Sequence, residues 1–354
     1  MYTREISEAP DKLIKKSKAI FGTFKGHPKF FDIRGIRKPF GTWSLPLFVT
    51  DTLIKSKMAY YFYTGSYIGC IFFVDAKILE YVEVVFWDIE THKRYSYHCV
   101  TGPQRQFIPF SLEAASTSCF AKSRYIRFSW DRRHNRLSLI LNLKGDKNRP
   151  EVHAVFSAKF DERSCELTQV MPSPNLRRCT ASYDLVQPLK GDLNIIEKNE
   201  TVKNFSFNEG ISFFNMKRLY MTLHYSGETI IGMGKCNEKN LLFKLHGSSQ
   251  EIQNQEKMND NFMIYDGRII PLPPVVITHS YGIDKNWVIQ DTENMIDLTF
   301  TPLSDNLNKV SILILRSIYH KIYGKFEGTL NIDNEEKLTF RSLTGLAEKY
   351  LVRL

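Results

Sequence analysis

At 354 residues, with 43% hydrophobic and 13% aromatic side chains, the chain has apolar material for two ordinary domains or one large β domain. The net charge of +10 is local: residues 1–40 hold ten Lys/Arg against four Asp/Glu, 122–149 hold nine against two, and seventeen face eighteen from residue 200 onward. That distribution excludes a general polyanion binder, and the most apolar C-terminal run, 310–315, is too short to span a bilayer.

The first predicted element is a helix over 9–21, with Pro10 in its first turn and Gly22 at its C-terminal end. On that helix Leu13, Ile14, Ser17, Ile20 and Phe21 share one face, and Lys12, Lys15, Lys16 and Lys18 point away. It reads either as a helix laid on the body of the fold or as a peripheral contact with anionic membrane through residues 9–21. The same lysines break up any secretory h-region. Six scattered cysteines without a C-x-x-C pair read as reduced thiols, so the expected compartment is the cytoplasm.

From about residue 40 the pattern turns to strands. Runs at 59–63, 69–74, 82–87, 124–130 and 137–143 are separated by turn residues at the spacing of an antiparallel barrel or sandwich, and 131–135 reads as a hairpin connection. The Pro-, Asn- and charge-rich span 171–204 has weak periodicity and is the expected linker. A second strand set follows at 205–214, 219–225, 229–233 and 241–245. Residues 250–261 form a polar excursion, and Pro271, Pro273 and Pro274 impose an extended, edge-like path. The expected fold class is therefore all-β: two lipocalin-like antiparallel β-barrel or sandwich halves (25–190 and 200–354) behind a short N-terminal amphipathic helix (1–24).

The last quarter carries the most specific pattern. Asn259-Asp260-Asn261-Phe262 and the turn Asp266-Gly267 precede a Trp-led strand at Trp287, then Asp297-Leu298-Thr299-Phe300-Thr301-Pro302, Gly324-Lys325-Phe326-Glu327-Gly328 and Gly345-Leu346-Ala347-Glu348. With Phe21-Gly22, Phe24 and Asp32-Ile33-Arg34-Gly35 near the N-terminus, this order resembles the bacterial domain-of-unknown-function family 2804. The chain departs from the family where Leu219, Tyr220, Leu223, His224 and Tyr225 stand in a strand that tends to carry tryptophans, and where Lys321 replaces a glutamine. The resemblance implies a pair of lipocalin-like barrels. More remotely it implies kinship with carotenoid hydratases and fungal cyclases acting on apolar substrates. It supplies no catalytic residue.

Barrel alternation gives the candidates physical content, because a small barrel is just wide enough for one ligand. Asp297, Thr299 and Thr301 share one strand face, as do Lys325, Glu327 and Thr329. If these faces point inward, Asp297 and Glu327 are carboxyls whose pKa burial raises, hence proton donors; if outward, they are surface residues. Trp287, Thr299, Asn261, His224, His279 and His320 are the candidates to line a ligand site in the second half. The nine histidines lack zinc spacings, and no metal or cofactor is expected. Gly227 to Cys236 fails as a phosphate loop, since Cys236 follows Lys235 where Ser or Thr is needed, and no Gly-x-Ser-x-Gly elbow occurs. The chemistry points first to a binding or carrier protein for an apolar small molecule, a lipid or isoprenoid, in a barrel cavity. The second reading is a cofactor-free enzyme hydrating or cyclising an apolar alkene, and the third a membrane-surface interaction protein. Nucleic acid is not an expected partner.

Overall fold

The computed structural model describes residues 2–353 except 42–44, 76, 78, 105, 174, 198–200, 221–223, 248–255, 313–314 and 333–335. Two large sheets make up the molecule, one of thirteen strands and one of nine. The first runs from the edge strand Arg94–Thr101 through Glu80–Asp88, Tyr67–Asp75, Ile54–Tyr63, Val202–Tyr220, Cys179–Ile196, Glu151–Ala158, Arg136–Leu143 and Arg124–Asp131 to Ala114–Ala121. Cys165–Pro172, Gly22–Lys25 and Ile6–Glu8 branch from it beside Cys179–Ile196. Pairing is antiparallel except between Ile6–Glu8 and Gly22–Lys25. The described helix Leu47–Thr52 is a single short turn before the first long strand.

The first sheet curls on itself. Tyr60 and Phe62 meet Phe128 and Phe156 from distant strands at ring separations of 4.9 and 5.0 Å, and Leu139, Leu141, Phe86 and Tyr97 fill the same interior. In the second sheet the order is Arg268–Pro271, Phe262–Tyr265, Lys239–His246, His224–Cys236, Lys337–Arg353, Leu315–Asn331, Ile296–Ile312, Trp287–Asp291, Val275–Thr278. Its interior holds Phe243, Trp287, Phe300, Phe326 and Leu338. Both interiors are thus packed with large side chains, as close-packed cores are. The all-β architecture expected from the sequence is what forms, and the strand ending at Pro271 lies on a sheet edge.

Three expectations are corrected. Residues 9–21 are not helical: Lys16 and Ser17, at φ 50° and 60°, turn a small hairpin between Ile14–Lys15 and Lys18–Ala19. Leu13 enters the first core, and Ile14, Ala19, Ile20 and Phe21 pack against it, so the apolar residues serve an extended chain laid on the barrel. No amphipathic helix forms over these residues.

The linker expected at 171–204 is instead the centre of the first sheet. Cys179–Ile196 is buried on both faces along much of its length, which erases the alternation by which a strand is read. Because Val202–Tyr220 pairs with both Cys179–Ile196 and Ile54–Tyr63, the first sheet ends at Tyr220 and the second begins at His224, not near 190–200. Leu223 and the first half of the 250–261 excursion (250–255) lie outside the described residues.

Candidate functional site

The two sheets meet face to face, and their facing residues follow from register alone, since residues directly opposite in an antiparallel pair share a face. Across the first sheet one row reads Thr23, Gln169, Ser182, Lys217, Lys57. The next reads Leu167, Asp184, Asn215, Ala59, Phe72, Glu83, and the third Cys165, Val186, Phe213, Tyr61, Cys70, Val85. Across the second sheet the rows are Gly227, Tyr350, Tyr319, Asn308; then His246, Thr229, Glu348, Lys321, Asn306; then Phe262, Lys244, Ile231, Leu346, Tyr323. Apolar rows meet at one end of this seam and form a core of their own. Polar rows meet at the other.

Three linked clusters result. Glu348, 2% exposed, accepts from Tyr61 Oη at 2.7 Å and Tyr319 Oη at 2.5 Å, and pairs with Lys57 Nζ at 3.4 Å. Burial works against its charge, yet Lys57 and Lys321 hold its pKa below the ordinary carboxylate value. Burial also pushes Lys57 down and the Tyr61 and Tyr319 phenols well up, so both phenols stay neutral donors. In the second cluster Glu83 meets Lys321 and accepts from Asn306 Nδ2 at 2.7 Å and from Asn308, while Lys321 lies 3.7 Å over the Phe72 ring. In the third, Lys244 Nζ contacts Asp184 at 3.1 Å, Asp260 at 3.3 Å and Ser182 Oγ at 3.3 Å, and Asn215 donates to Asp184 at 2.8 Å.

Where the polar rows reach the surface, Tyr225, Tyr350 and Tyr319 stack at centroid separations of 5.0 and 5.5 Å. Tyr350 Oη donates to Tyr225 Oη at 3.1 Å, and Tyr225 lies near enough to Lys217 to favour its charge. Burial disfavours the Lys217 charge, but Tyr225, Asp260 and Asp184 keep its pKa above the ordinary lysine value. His246 lies with Nδ1 3.1 Å from Thr229 Oγ1, its backbone N–H donating to Asn261 Oδ1 at 2.7 Å. Burial, against Asp260 and alongside Lys217, Lys244 and Lys57, pushes the imidazole down to about 4, so it is uncharged at neutral pH. A side chain on Gly227 would meet Tyr350 Oη at 2.5 Å and His246 Cε1 at 3.1 Å, so only a glycine lets these two side chains pack against this strand. Lys57, Lys217, Tyr225, Tyr319 and His246 are half-buried, whereas Glu348, Lys321 and Asp184 behind them are buried. The arrangement combines an uncharged proton acceptor with ammonium and phenol donors on an aromatic wall. That is the equipment for moving a proton while stabilising a developing oxyanion.

Of the residues singled out from sequence, Asp297 and Glu327 stand on the exposed outer face. Leu298, Phe300 and Phe326 take the inner one, and period-two alternation turns their neighbours outward. Asp297 accepts from Gln290 at 3.1 Å; neither carboxyl has the burial a proton donor needed. Thr299 lies opposite Glu327 on that outer face, half-buried. Trp287 and His279 pack together in the second barrel, and His320 forms a separate pair. His279 packs 4.6 Å from the Trp287 ring and contacts Glu228 at 2.7 Å, Lys349 joins Glu228 at 2.7 Å, and His320 pairs with Asp305 at 2.7 Å. Asn261 is buried and structural, joining His246 N–H to the Pro273 carbonyl. His224 is exposed at the start of its strand.

Lys57, Lys217, Lys244, Lys321, Glu348 and His246 were missed. The signal was there: Lys244 interrupts Leu241-Leu242-Phe243 and Leu245, and Lys321 precedes Ile322-Tyr323. A lysine inside an apolar strand reads as an outward residue until a second sheet covers it. The departure at Lys321 is matched by Glu83 from the other sheet.

The crystal structure of CghA with Sch210972 has the same fold, with a TM-score of 0.53 at 11% identity over 94% of this chain and 98% of that one. Kievitone hydratase from Nectria haematococca gives a TM-score of 0.47 at 8% identity over 83% and 88%. No curated protein matches the chain. The family described as "Domain of unknown function (DUF2804)" matches residues 36–354. With almost its whole length covered by that match, the chain belongs to the DUF2804 family.

Proposed function

We propose that this protein is a cofactor-free enzyme of proton chemistry, hydration or cyclisation, acting on an apolar alkene conjugated to a carbonyl group and bound where the polar rows of the seam reach the surface. The observation that carries this reading is the uncharged His246 beside Gly227, Tyr350 and the Tyr225–Lys217 pair. A water oxygen bonds to the alkene carbon β to the carbonyl while His246 Nε2 takes one of its protons. The π electrons move onto the carbonyl oxygen, where the Lys217 ammonium and phenolic O–H groups stabilise the enolate. The imidazolium then protonates the α-carbon, so one water is added and the base is regenerated. Cyclisation follows the same course with the substrate's own hydroxyl in place of water. The likeness in fold to CghA, whose crystal structure holds Sch210972, agrees with a scaffold that takes an organic ligand.

The test uses a panel of long-chain conjugated enones in ¹⁸O-labelled water, read by mass spectrometry for gain of one labelled water or for an isomer of unchanged mass. His246→Gln is expected to slow turnover by roughly 10²–10⁴-fold with binding retained. Gly227→Val, which displaces Tyr350 and His246, abolishes both. Turnover undiminished in His246→Gln refutes the mechanism. Binding without any conversion by the wild type makes the protein a carrier instead.

A further inference from the structure

The outer face of the first barrel holds a surface cavity of about 570 Å³, away from the seam, lined among others by Ser116, Ser129, Ser138, Arg127, Arg136 and Asp131. Its floor is a row of serines across three strands, Ser116 opposite Ser129 and Ser129 opposite Ser138, with the last two hydroxyls 2.9 Å apart. Arg127 stands two residues to one side of this row, on the strand of Ser129. Arg136 stands two residues to the other side, on the strand of Ser138. Each is therefore about 7 Å along its strand from the serines, within reach of an extended arginine side chain.

The charge here is uncommitted. Three cations of the same basic span are engaged: Arg132 with Glu166, Arg124 and Arg149 with Asp146. Arg127 and Arg136 are exposed and make no ion pair or side-chain hydrogen bond among the described residues. Asp131, the carboxylate at this site, is taken up by His134 at 2.7 Å and by the backbone N–H groups of Arg133 and His134. Two guanidinium forks and a line of hydroxyls thus converge on one place from opposite sides. A planar carboxylate presents two oxygens and satisfies one fork; a tetrahedral phosphate presents three and can take both forks and a serine together. Beyond Arg127 the same face continues into Tyr125 and the exposed Phe120, packed edge to face at 5.9 Å, which offer an apolar contact to whatever bears the phosphate.

We propose that this cavity binds the phosphate group of a small phosphorylated molecule, held by Arg127 and Arg136 over Ser116, Ser129 and Ser138. The inference is independent of the chemistry assigned to the seam. It is tested on the full chain by ³¹P NMR and calorimetric titration with phenyl phosphate and inorganic phosphate, with benzoate as the planar control and ionic strength held constant with chloride. Phenyl phosphate is expected to bind more tightly than benzoate. Arg127→Gln and Arg136→Gln should each weaken it about tenfold or more, with unchanged thermal stability because both side chains are exposed. Benzoate binding as tightly as phenyl phosphate overturns the tetrahedral selection. Unchanged affinity in the two arginine variants, or binding abolished by chloride alone, overturns the site.

Discussion

Removing the Lys321 ammonium should destabilise the seam far more than removing Lys321 and the Glu83 charge together. Glu83 is 1% exposed and Lys321 3%, and they meet across the two sheets, so neither charge has water to fall back on. Burial works against the Lys321 charge, and Glu83 is the first of the groups that hold its pKa above the ordinary value. Lys321→Met strands a carboxylate whose remaining donors are Asn306 and Asn308. Loss of one partner of such a pair is worth about 3–5 kcal/mol. Glu83→Gln leaves the ammonium over the Phe72 ring, a contact worth at most ~2 kcal/mol when desolvated. In the double variant the glutamine still accepts from the asparagines and methionine packs on Phe72, so the total loss should stay within about 1–2 kcal/mol of wild type. Urea unfolding of the four proteins, followed by tryptophan fluorescence, measures the cycle; Trp87, stacked on Tyr323 at 5.9 Å in the same seam, reports locally. Losses that add, with the double variant as unstable as the two singles combined, would refute the reasoning.

Three further outcomes are expected. His246, held down to about 4 chiefly by burial, should titrate far below an ordinary histidine. Because the unfolded chain takes up this proton near pH 6.5 and the folded protein does not, stability is intact above pH 6.5 and declines by roughly 3 kcal/mol as pH falls toward 4. A histidine Cε1–H NMR titration that places His246 near 6.5 would contradict this. Gln169 is fully buried with both amide atoms unpartnered among the described residues, and the Thr23 hydroxyl opposite is also unpartnered. Gln169→Leu should therefore stabilise the protein by about 1–3 kcal/mol, seen as a raised Tm, and a lowered Tm shows the amide to be satisfied. Glu166 sits among His27 at 2.7 Å, Arg132 at 2.7 and 3.0 Å and Tyr183 at 3.2 Å. Burial opposes its charge, but the hydrogen bonds from His27 and Arg132 prevail and hold it at about 2. Arg132→Met should lower stability at neutral pH by about 3–5 kcal/mol and move the acid-unfolding midpoint upward, since Glu166 then takes up its proton at higher pH. An unshifted acid midpoint argues against the cluster's role.

Strand content was legible from residue order because alternation and turn chemistry are local. The hairpin around Asn135, at φ 51°, and the Trp287 strand both form where the pattern places them. At Cys179–Ile196 the pattern failed for a definite reason: a strand covered on both faces has no polar side to alternate with. At residues 9–21 a helical wheel and a short hairpin buried the same apolar residues, and contact with the first core chose between them.

What the sequence by itself determined is the all-β class and the family, each of which rests on short-range pattern. Only the tertiary structure decided which face of each strand is covered. Period-two alternation defines two faces for Asp297 and Glu327 but does not say which meets water. The same holds for Lys57, Lys244, Lys321 and Glu348, which read as surface charges until the second sheet lies over the first. Their partners stand as far as 291 positions away along the chain, and no local pattern records a contact made by docking two sheets.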